Sequence, residues 1–251
     1  MQGLPTILLH EKFSGIIWKV EIDGRKDMIA IESRDASSRA AAFSAFNFRT
    51  GHCYFREVSP EHSWWFGLDK VHEGMVFLHG YAAGNTPERK GIVAIHAFTG
   101  GIAWQQHHMA LDHVTEDGLM AYATSFTPKR LQLLSPVTGE TTVVQNGLPA
   151  PIIQDIRFPQ VWPSAMPLPA FIADAAGPVL YALAGDKTCW AYHRERQGKY
   201  DQVLLIMKDN APVIRVFLDE NIQKFNPEAF FIHSNQLFCI RNKVEIVSYL
   251  V

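Results

Sequence analysis

The sequence has few cysteines, no long hydrophobic run and no excess of charge of one sign. Cys53, Cys189 and Cys239 are far apart and form no CxxC pair, which argues against a disulfide framework or a zinc knuckle and predicts small buried side chains in a reducing compartment. No stretch approaches the roughly 20 apolar residues of a membrane span. The first residues, MQGLPTILLHEKF, lack the basic region of a secretory signal. We therefore expect a soluble cytoplasmic protein.

The sequence also lacks the motifs of several common enzyme and nucleotide-binding families. A net charge of −2 favours neither nucleic acid nor a membrane surface as a partner. No GxSxG, HExxH, P-loop or GxGxxG is present. The densest histidine cluster is QHHMALDH, but His107 and His108 would point to opposite faces of a strand. We accordingly expect no metal and no cofactor.

Three Thr-Gly pairs anchor an internal repeat. FNFRTGHCYF, HAFTGGIAW and LLSPVTGETTVV share apolar positions seven and four residues before the Thr and a polar residue three before it. The polar residues are Asn47, His96 and Ser135, which are suited to bonding the backbone of a turn. Each stretch therefore predicts a hairpin with Gly in the turn.

A second pattern precedes each hairpin. An Asp, a short polar turn and a β-rich run occur around residues 22–31, 68–78 and 111–122, with weaker copies at 173–183 and 232–240. The combined units are spaced by 45–60 residues, which is the size of a four-stranded propeller blade. Prolines concentrated in 145–170 predict a long connection rather than a central strand. The one helical candidate, residues 219–225, is short.

These units predict an all-β fold, a β-propeller of five four-stranded blades forming a single domain over residues 1–251. The last unit lacks one strand, and PTILLH (5–10) has no partner of its own. We expect this N-terminal strand to complete the last blade and close the ring. Six or more blades, using the extra strands within 145–218, is the alternative.

The recurring x-[NHS]-x-x-T-G-x-x-x-[aromatic] pattern resembles the blades of quinoprotein-like and WD40-like β-propellers. The resemblance implies architecture rather than activity, because the motif is degenerate and the chain is too short for the eight blades of full-size quinoprotein enzymes. It suggests an uncharacterised bacterial family that is known only as a domain of unknown function.

Two sets of polar residues sort onto opposite ends of the predicted blades. Asp23, Asp69, Asp112 and Asp174 recur at the turn between the first and second strands, which favours turn caps over catalytic acids. The loops between the second and third strands each contain bases, which would create a positive field favouring an anionic small molecule or an acidic protein surface if they gather on one face. Ordinary solvated surface charge is the alternative explanation for these bases.

Aromatic residues concentrate near the same loops, in SWWFG (63–67) and at Trp162. They suit ligand stacking or a protein hot spot, although packing between blades is the simpler explanation. We expect a non-catalytic ligand- or protein-binding module; a carbohydrate-active hydrolase with unidentified axial carboxylates is the alternative. The candidate binding residues are Arg34, Arg39, Trp64, Trp65, His79, Tyr81, Arg89, Lys90, Lys129, Arg130, Trp162, Lys187 and Arg241.

Overall fold

The structure, a computed structural model, describes residues 6–81, 88–143 and 147–251 and is built from antiparallel β-sheets. Two 3-10 turns, Ser63–Trp65 and Ala170–Ile172, are the only helical segments in this part of the chain. Neither segment could serve as a membrane-spanning helix, and no other helix occurs in the described residues. Residues 82–87 of the predicted 79–91 loop, Pro5 of the predicted closing strand, and residues 145–146 of the proline-rich connection lie outside the described residues.

The strands group into two compact units, one made of Phe13–Gln154 and the other of Asp155–Val251 with the N-terminal residues through Lys12. The first unit contains three four-stranded sheets, each with its strands in chain order. Sheet I consists of β2 Ile16–Asp23, β3 Met28–Asp35, β4 Ala40–Asn47 and β5 Cys53–Val58; sheet II of β6 Phe66–His72, β7 Met75–Tyr81, β8 Arg89–His96 and β9 Ile102–Gln106; sheet III of β10 Met109–Thr115, β11 Gly118–Ala123, β12 Leu131–Leu134 and β13 Thr141–Thr142.

The second unit contains two five-stranded sheets. Sheet IV consists of β15 Gln160–Val161, β16 Ala175–Ala184, β17 Lys187–Arg196, β18 Lys199–Lys208 and β19 Ala211–Ile222; sheet V of β1 Ile7–Lys12, β22 Glu245–Leu250, β21 Gln236–Arg241, β20 Phe230–His233 and β14 Ile156–Arg157. β19 covers most of the predicted helix at 219–225, so that prediction was wrong. The β-rich pattern of the preceding residues continues through Ile222 instead.

Five sheets of up-and-down strands confirm the all-β, propeller-like fold. The extra strands of the proline-rich connection, β14 and β15, contain two residues each and add to the edges of existing sheets rather than building a sixth. β1 pairs with β22 at the edge of sheet V, which confirms that the N-terminal strand completes the last sheet. The arrangement of all five sheets as one domain stays a prediction.

The Thr-Gly turns have the geometry that the repeat predicts. Gly51, Gly100 and Gly139 have φ values of 71°, 68° and 72°, a region that favours glycine. The side chain of Asn47 accepts hydrogen bonds from the backbone of its own turn, and so does that of Ser135. His96 instead uses its carbonyl oxygen, which accepts from the backbone N–H of Thr99 and of Gly100.

Apolar side chains from neighbouring sheets form the core within each unit. Phe43, Leu68 and Val76 are among the buried residues that join sheets I and II. In the second unit, burial raises the pKa of the Cys189 and Cys239 thiols to about 12, which makes both thiols unreactive at neutral pH. Cys53 is exposed, so the expectation of three buried cysteines was wrong for this one.

Candidate functional site

The predicted basic residues lie at one end of each sheet, where the second strand leads to the third. Arg34 is near the end of β3, Arg89 begins β8 and Arg241 ends β21. Lys187 begins β17, which is the equivalent position in sheet IV. The remaining bases, Arg39, Lys90, Lys129 and Arg130, are exposed at the corresponding ends of sheets I, II and III.

Carboxylates accompany most of these bases. The ion pairs are Arg34 with Glu32, Arg89 with Asp69, Lys129 with Asp112, Lys187 with Asp186, and Arg241 with Glu245. Among the described residues, no ion pair is found for Arg39, Lys90 or Arg130. The bases therefore do not form a uniformly positive surface, and the argument for an anionic ligand loses its main support.

Arg34 is not the exposed loop residue that the sequence suggested. It belongs to strand β3, and its side chain is only 10% exposed. Its Nε pairs with Glu32, while its other two nitrogens donate to the carbonyl oxygens of Trp64 at 3.2 Å and Phe66 at 2.6 Å. Arg34 therefore joins sheet I to the segment that begins sheet II.

Tryptophan rings surround the Arg34 guanidinium. Its central carbon lies 5.7 Å from the centre of the Trp18 ring and 5.1 Å from that of Trp64, distances typical of cation–π contacts. Trp18 nevertheless remains 63% exposed and Trp65 47% exposed. Sequence reasoning missed Trp18, although an aromatic residue flanked by Ile17 and Lys19 in an alternating β-strand was a usable signal.

Further bonds from sheet I fix the position of β6. Glu32 accepts the backbone N–H of Leu68 at 2.7 Å, and the Lys19 ammonium donates to the carbonyl oxygens of Leu68 and Asp69 at 3.0 and 3.1 Å. Glu21 in turn pairs with both Lys19 and Lys70. Charged side chains thus connect the first strands of the two sheets.

Asp69 lies in a bulge of β6, because Leu68 and Lys70 pair with consecutive residues of β7. Its carboxylate accepts a hydrogen bond from Arg89 at 2.8 Å and lies 3.7 Å from the His79 Nδ1. Burial raises the pKa of Asp69, although the positive charge of Arg89 acts in the opposite direction. A buried carboxyl group with a raised pKa is a candidate for ligand recognition or proton transfer.

The prediction that the recurring Asp residues cap the first turn was therefore only partly correct. Asp23 does cap its turn, because its side chain accepts the backbone N–H of Arg25 at 3.0 Å. Asp69 does not, and Asp112 likewise occupies a bulge within β10. Comparison of the repeats misplaced these Asp residues because a bulge adds a residue to a strand without changing its composition. Asp174 follows the second 3-10 turn and pairs with Arg194.

His79 is a buried, neutral imidazole at the centre of this region. Burial lowers its pKa to about 3, and the charges of Arg89, Lys19 and Arg34 act in the same direction. Neither ring nitrogen has a hydrogen-bond partner among the described residues. A Cβ on Gly67 would lie 2.7 Å from the His79 Nε2, so a glycine is needed there for close packing.

The neutral state of His79 predicts acid sensitivity of the fold. Between about pH 6.5 and 3 the imidazole is protonated in the unfolded state but stays neutral in the folded state. The free energy of unfolding therefore falls as pH falls across this window. This group alone should cost about 1–2 kcal/mol between pH 6.5 and 5. Urea unfolding of the wild type and of His79→Gln at these two pH values measures the effect. The variant should lose less stability on acidification.

His10→Gln is the matched control, because the side chain of His10 is half exposed. It should retain the acid sensitivity of the wild type. Equal pH dependence in the wild type and His79→Gln would contradict the assignment of a buried neutral imidazole.

Eight of the predicted residues lie in sheets I and II, in their loops or in the segment that joins them, namely Arg34, Arg39, Trp64, Trp65, His79, Tyr81, Arg89 and Lys90. The others lie elsewhere. Lys129 lies over the Tyr122 ring at 4.1 Å in sheet III. Trp162, in the second unit, packs against Tyr181 and Trp190, which agrees with the simpler packing explanation. Within the described residues no group of three or more His, Cys, Asp or Glu side chains could hold a metal ion.

Part of this region is similar to a family of unknown function. Residues 22–104 match the model of a family described as a domain of unknown function (DUF4905). The match includes Glu32, Arg34, Asp69, His79 and Arg89, but it covers only a third of the chain. No curated protein matches the chain.

Among solved structures, the chain is similar to the acylaminoacyl peptidase of Pyrococcus horikoshii in its orthorhombic crystal form. The similarity covers 90% of this chain and 35% of that chain, with 10% sequence identity and a TM-score of 0.30. This chain therefore spans about a third of the peptidase chain, and a similarity of this size carries no argument about activity.

Proposed function

We propose that the protein is a non-catalytic binding module whose ligand surface is the exposed part of the cluster at sheets I and II. We define this tryptophan–arginine surface by Trp18, Arg34, Trp64, Trp65, Tyr81 and Arg89. One observation carries the proposal: Trp18 lies against a guanidinium whose three nitrogens each donate a hydrogen bond, yet 63% of Trp18 faces solvent.

Exposure of two tryptophans is costly for a protein with no use for them. Burying a large aromatic side chain stabilises a fold by roughly 1.5–3 kcal/mol, and exposed apolar patches commonly mark binding sites. Tryptophan and arginine are also the residues most enriched among binding hot spots. The bonds from Arg34 to Glu32 and to two carbonyl oxygens keep its guanidinium rigid, which lowers the entropy lost on binding.

The charged groups below this surface favour binding over catalysis. Glu32 is engaged by Arg34 and the Leu68 amide, Glu21 by two lysines, and Asp69 by Arg89. These bonds hold the carboxylates in structural roles. The alternative, a carbohydrate-active hydrolase, is favoured by one observation: Asp69 has a raised pKa beside a neutral histidine, as a general acid would require.

A thermal-shift screen with saccharides, nucleotides, carboxylic acids and short peptides tests the proposal. A ligand of this surface should raise the Tm of the wild type but not that of Trp18→Ala or Trp65→Ala, because binding to the folded state alone stabilises it. Phe98→Ala is the control, since Phe98 is similarly exposed but follows β8, at the opposite end of sheet II. If no stabilisation by any compound depends on either tryptophan, the proposed function is wrong.

A product-release assay on the saccharides of the same screen tests the hydrolase alternative. A hydrolase should release product from the saccharides, and Asp69→Asn should abolish this release. A binding module should return every saccharide unchanged.

A further inference from the structure

We infer that the tryptophan–arginine surface binds a neutral carbohydrate. The inference rests on the proposed function and adds the chemical class of the ligand. It follows from three features of the surface: its internally paired charges, its flat exposed rings, and the polar groups at the same end of the sheets.

Each charged side chain beneath the surface already has an ion-pair partner within the protein, because Glu21 pairs with two lysines. Four cations, Lys19, Arg34, Lys70 and Arg89, are paired with the three carboxylates Glu21, Glu32 and Asp69. An anionic ligand would have to compete with these carboxylates at 2.8–3.0 Å from Arg89 and the two lysines. A neutral ligand avoids this competition and leaves every internal ion pair in place.

The exposed aromatic residues provide flat apolar planes. Trp18 contacts the Arg34 guanidinium yet keeps most of its area exposed, and Trp65 follows directly after Trp64, whose carbonyl oxygen accepts from Arg34. The face of a pyranose ring carries a patch of C–H groups that packs against such a plane. Aromatic planes of this kind make favourable contacts with the positively polarised edges of C–H groups.

Polar groups suited to hydroxyls lie at the same end of sheet II. Phe66 pairs with Gly80, Gly80 with Lys90, and Tyr81 with Arg89, so the start of β6 is level with the end of β7 and the start of β8. Arg89 uses one terminal nitrogen for Asp69, while half of its side chain is exposed and able to donate further hydrogen bonds. Tyr81, partly exposed, can both donate and accept, as sugar hydroxyls do. Asp69 is the positioning residue for Arg89.

Affinity electrophoresis in native gels tests the inference with named probes. The neutral polysaccharides are laminarin, xyloglucan, arabinoxylan, galactomannan and soluble starch; polygalacturonate and dextran sulfate are the anionic ones. We expect at least one neutral polysaccharide to retard the wild type, at both 50 and 500 mM NaCl, because no net charge is recognised. Trp18→Ala should weaken this binding about tenfold, the effect of losing roughly 1.4 kcal/mol of contact energy.

The matched control is again Phe98→Ala, which should migrate with the wild type at every polysaccharide concentration. Retardation by the anionic polymers alone, lost at high salt, would overturn the carbohydrate inference while leaving the proposed binding function intact. Migration unaffected by every neutral polysaccharide would also overturn it. Neutral binding that survives both Trp18→Ala and Trp65→Ala would overturn the placement of the ligand on this surface.

Discussion

Deleting the chain through Lys12 is expected to abolish cooperative folding of the second compact unit. β1 pairs with β22 from Ile7 to Lys12, and its Leu9 is almost completely buried. The Leu9 amide also donates to the Ser248 hydroxyl at 3.1 Å. Loss of the strand removes this packing and leaves the edge of β22 unpaired, at a cost of more than about 5 kcal/mol, comparable with the whole stability of many domains.

Calorimetric unfolding of the deleted protein measures this cost. The control moves residues 6–12 to the C-terminus behind an Asn-Gly turn, which is feasible because the Leu250 amide donates to the Thr6 carbonyl oxygen at 3.0 Å. The transplanted strand should restore most of the lost stability, since the pairing with β22 is the same. A deletion variant with an unchanged Tm would contradict the role of β1 in completing sheet V.

Glu32→Gln is expected to destabilise the protein by about 3–5 kcal/mol. The substitution keeps the shape of the side chain but removes the charge that faces the Arg34 guanidinium, and both residues are buried. An unpaired charge in such a place costs several kcal/mol, more than the pair itself contributes. The altered side chain also weakens the acceptor for the Leu68 amide.

Urea unfolding at pH 7 measures the effect, with Glu61→Gln as control. Glu61 lies 3.7 Å from the His62 imidazole and both side chains are largely exposed, so its loss should change the stability by less than about 0.5 kcal/mol. A loss below about 1 kcal/mol for Glu32→Gln would show that the Glu32–Arg34 pair does not hold the surface in place.

The architecture could be predicted because its signals are local. A Thr-Gly turn between two apolar runs specifies a hairpin in any context, and the residues Asn47 and Ser135 bond their own turns as expected. The closing strand could also be predicted, because the last unit lacked a strand and the N-terminal run lacked a partner. The hairpins follow from a local pattern and the closing strand from a count of strands, and neither depends on side-chain contacts between sheets.

The site could be predicted only in part, because it depends on contacts between sheets. Arg34 was expected in an exposed loop, although Glu32 two residues earlier lies on the same face of a strand and could have signalled an ion pair. The Asp69 bulge and the burial of His79 have no such local signal. They lie where Lys19 and Glu32 of sheet I bond to the backbone of β6, and such contacts between sheets leave no local pattern in the sequence.

The most direct test of the binding surface is a set of ¹⁵N–¹H spectra of the six tryptophan indoles during titration with a ligand found in the screen. The signals of Trp18 and Trp65 should shift with ligand concentration. Those of Trp104 and Trp190, which donate hydrogen bonds to the Pro136 carbonyl oxygen and the Thr188 hydroxyl, should remain in place. Unmoved Trp18 and Trp65 signals in the presence of a saturating ligand would contradict the proposed surface.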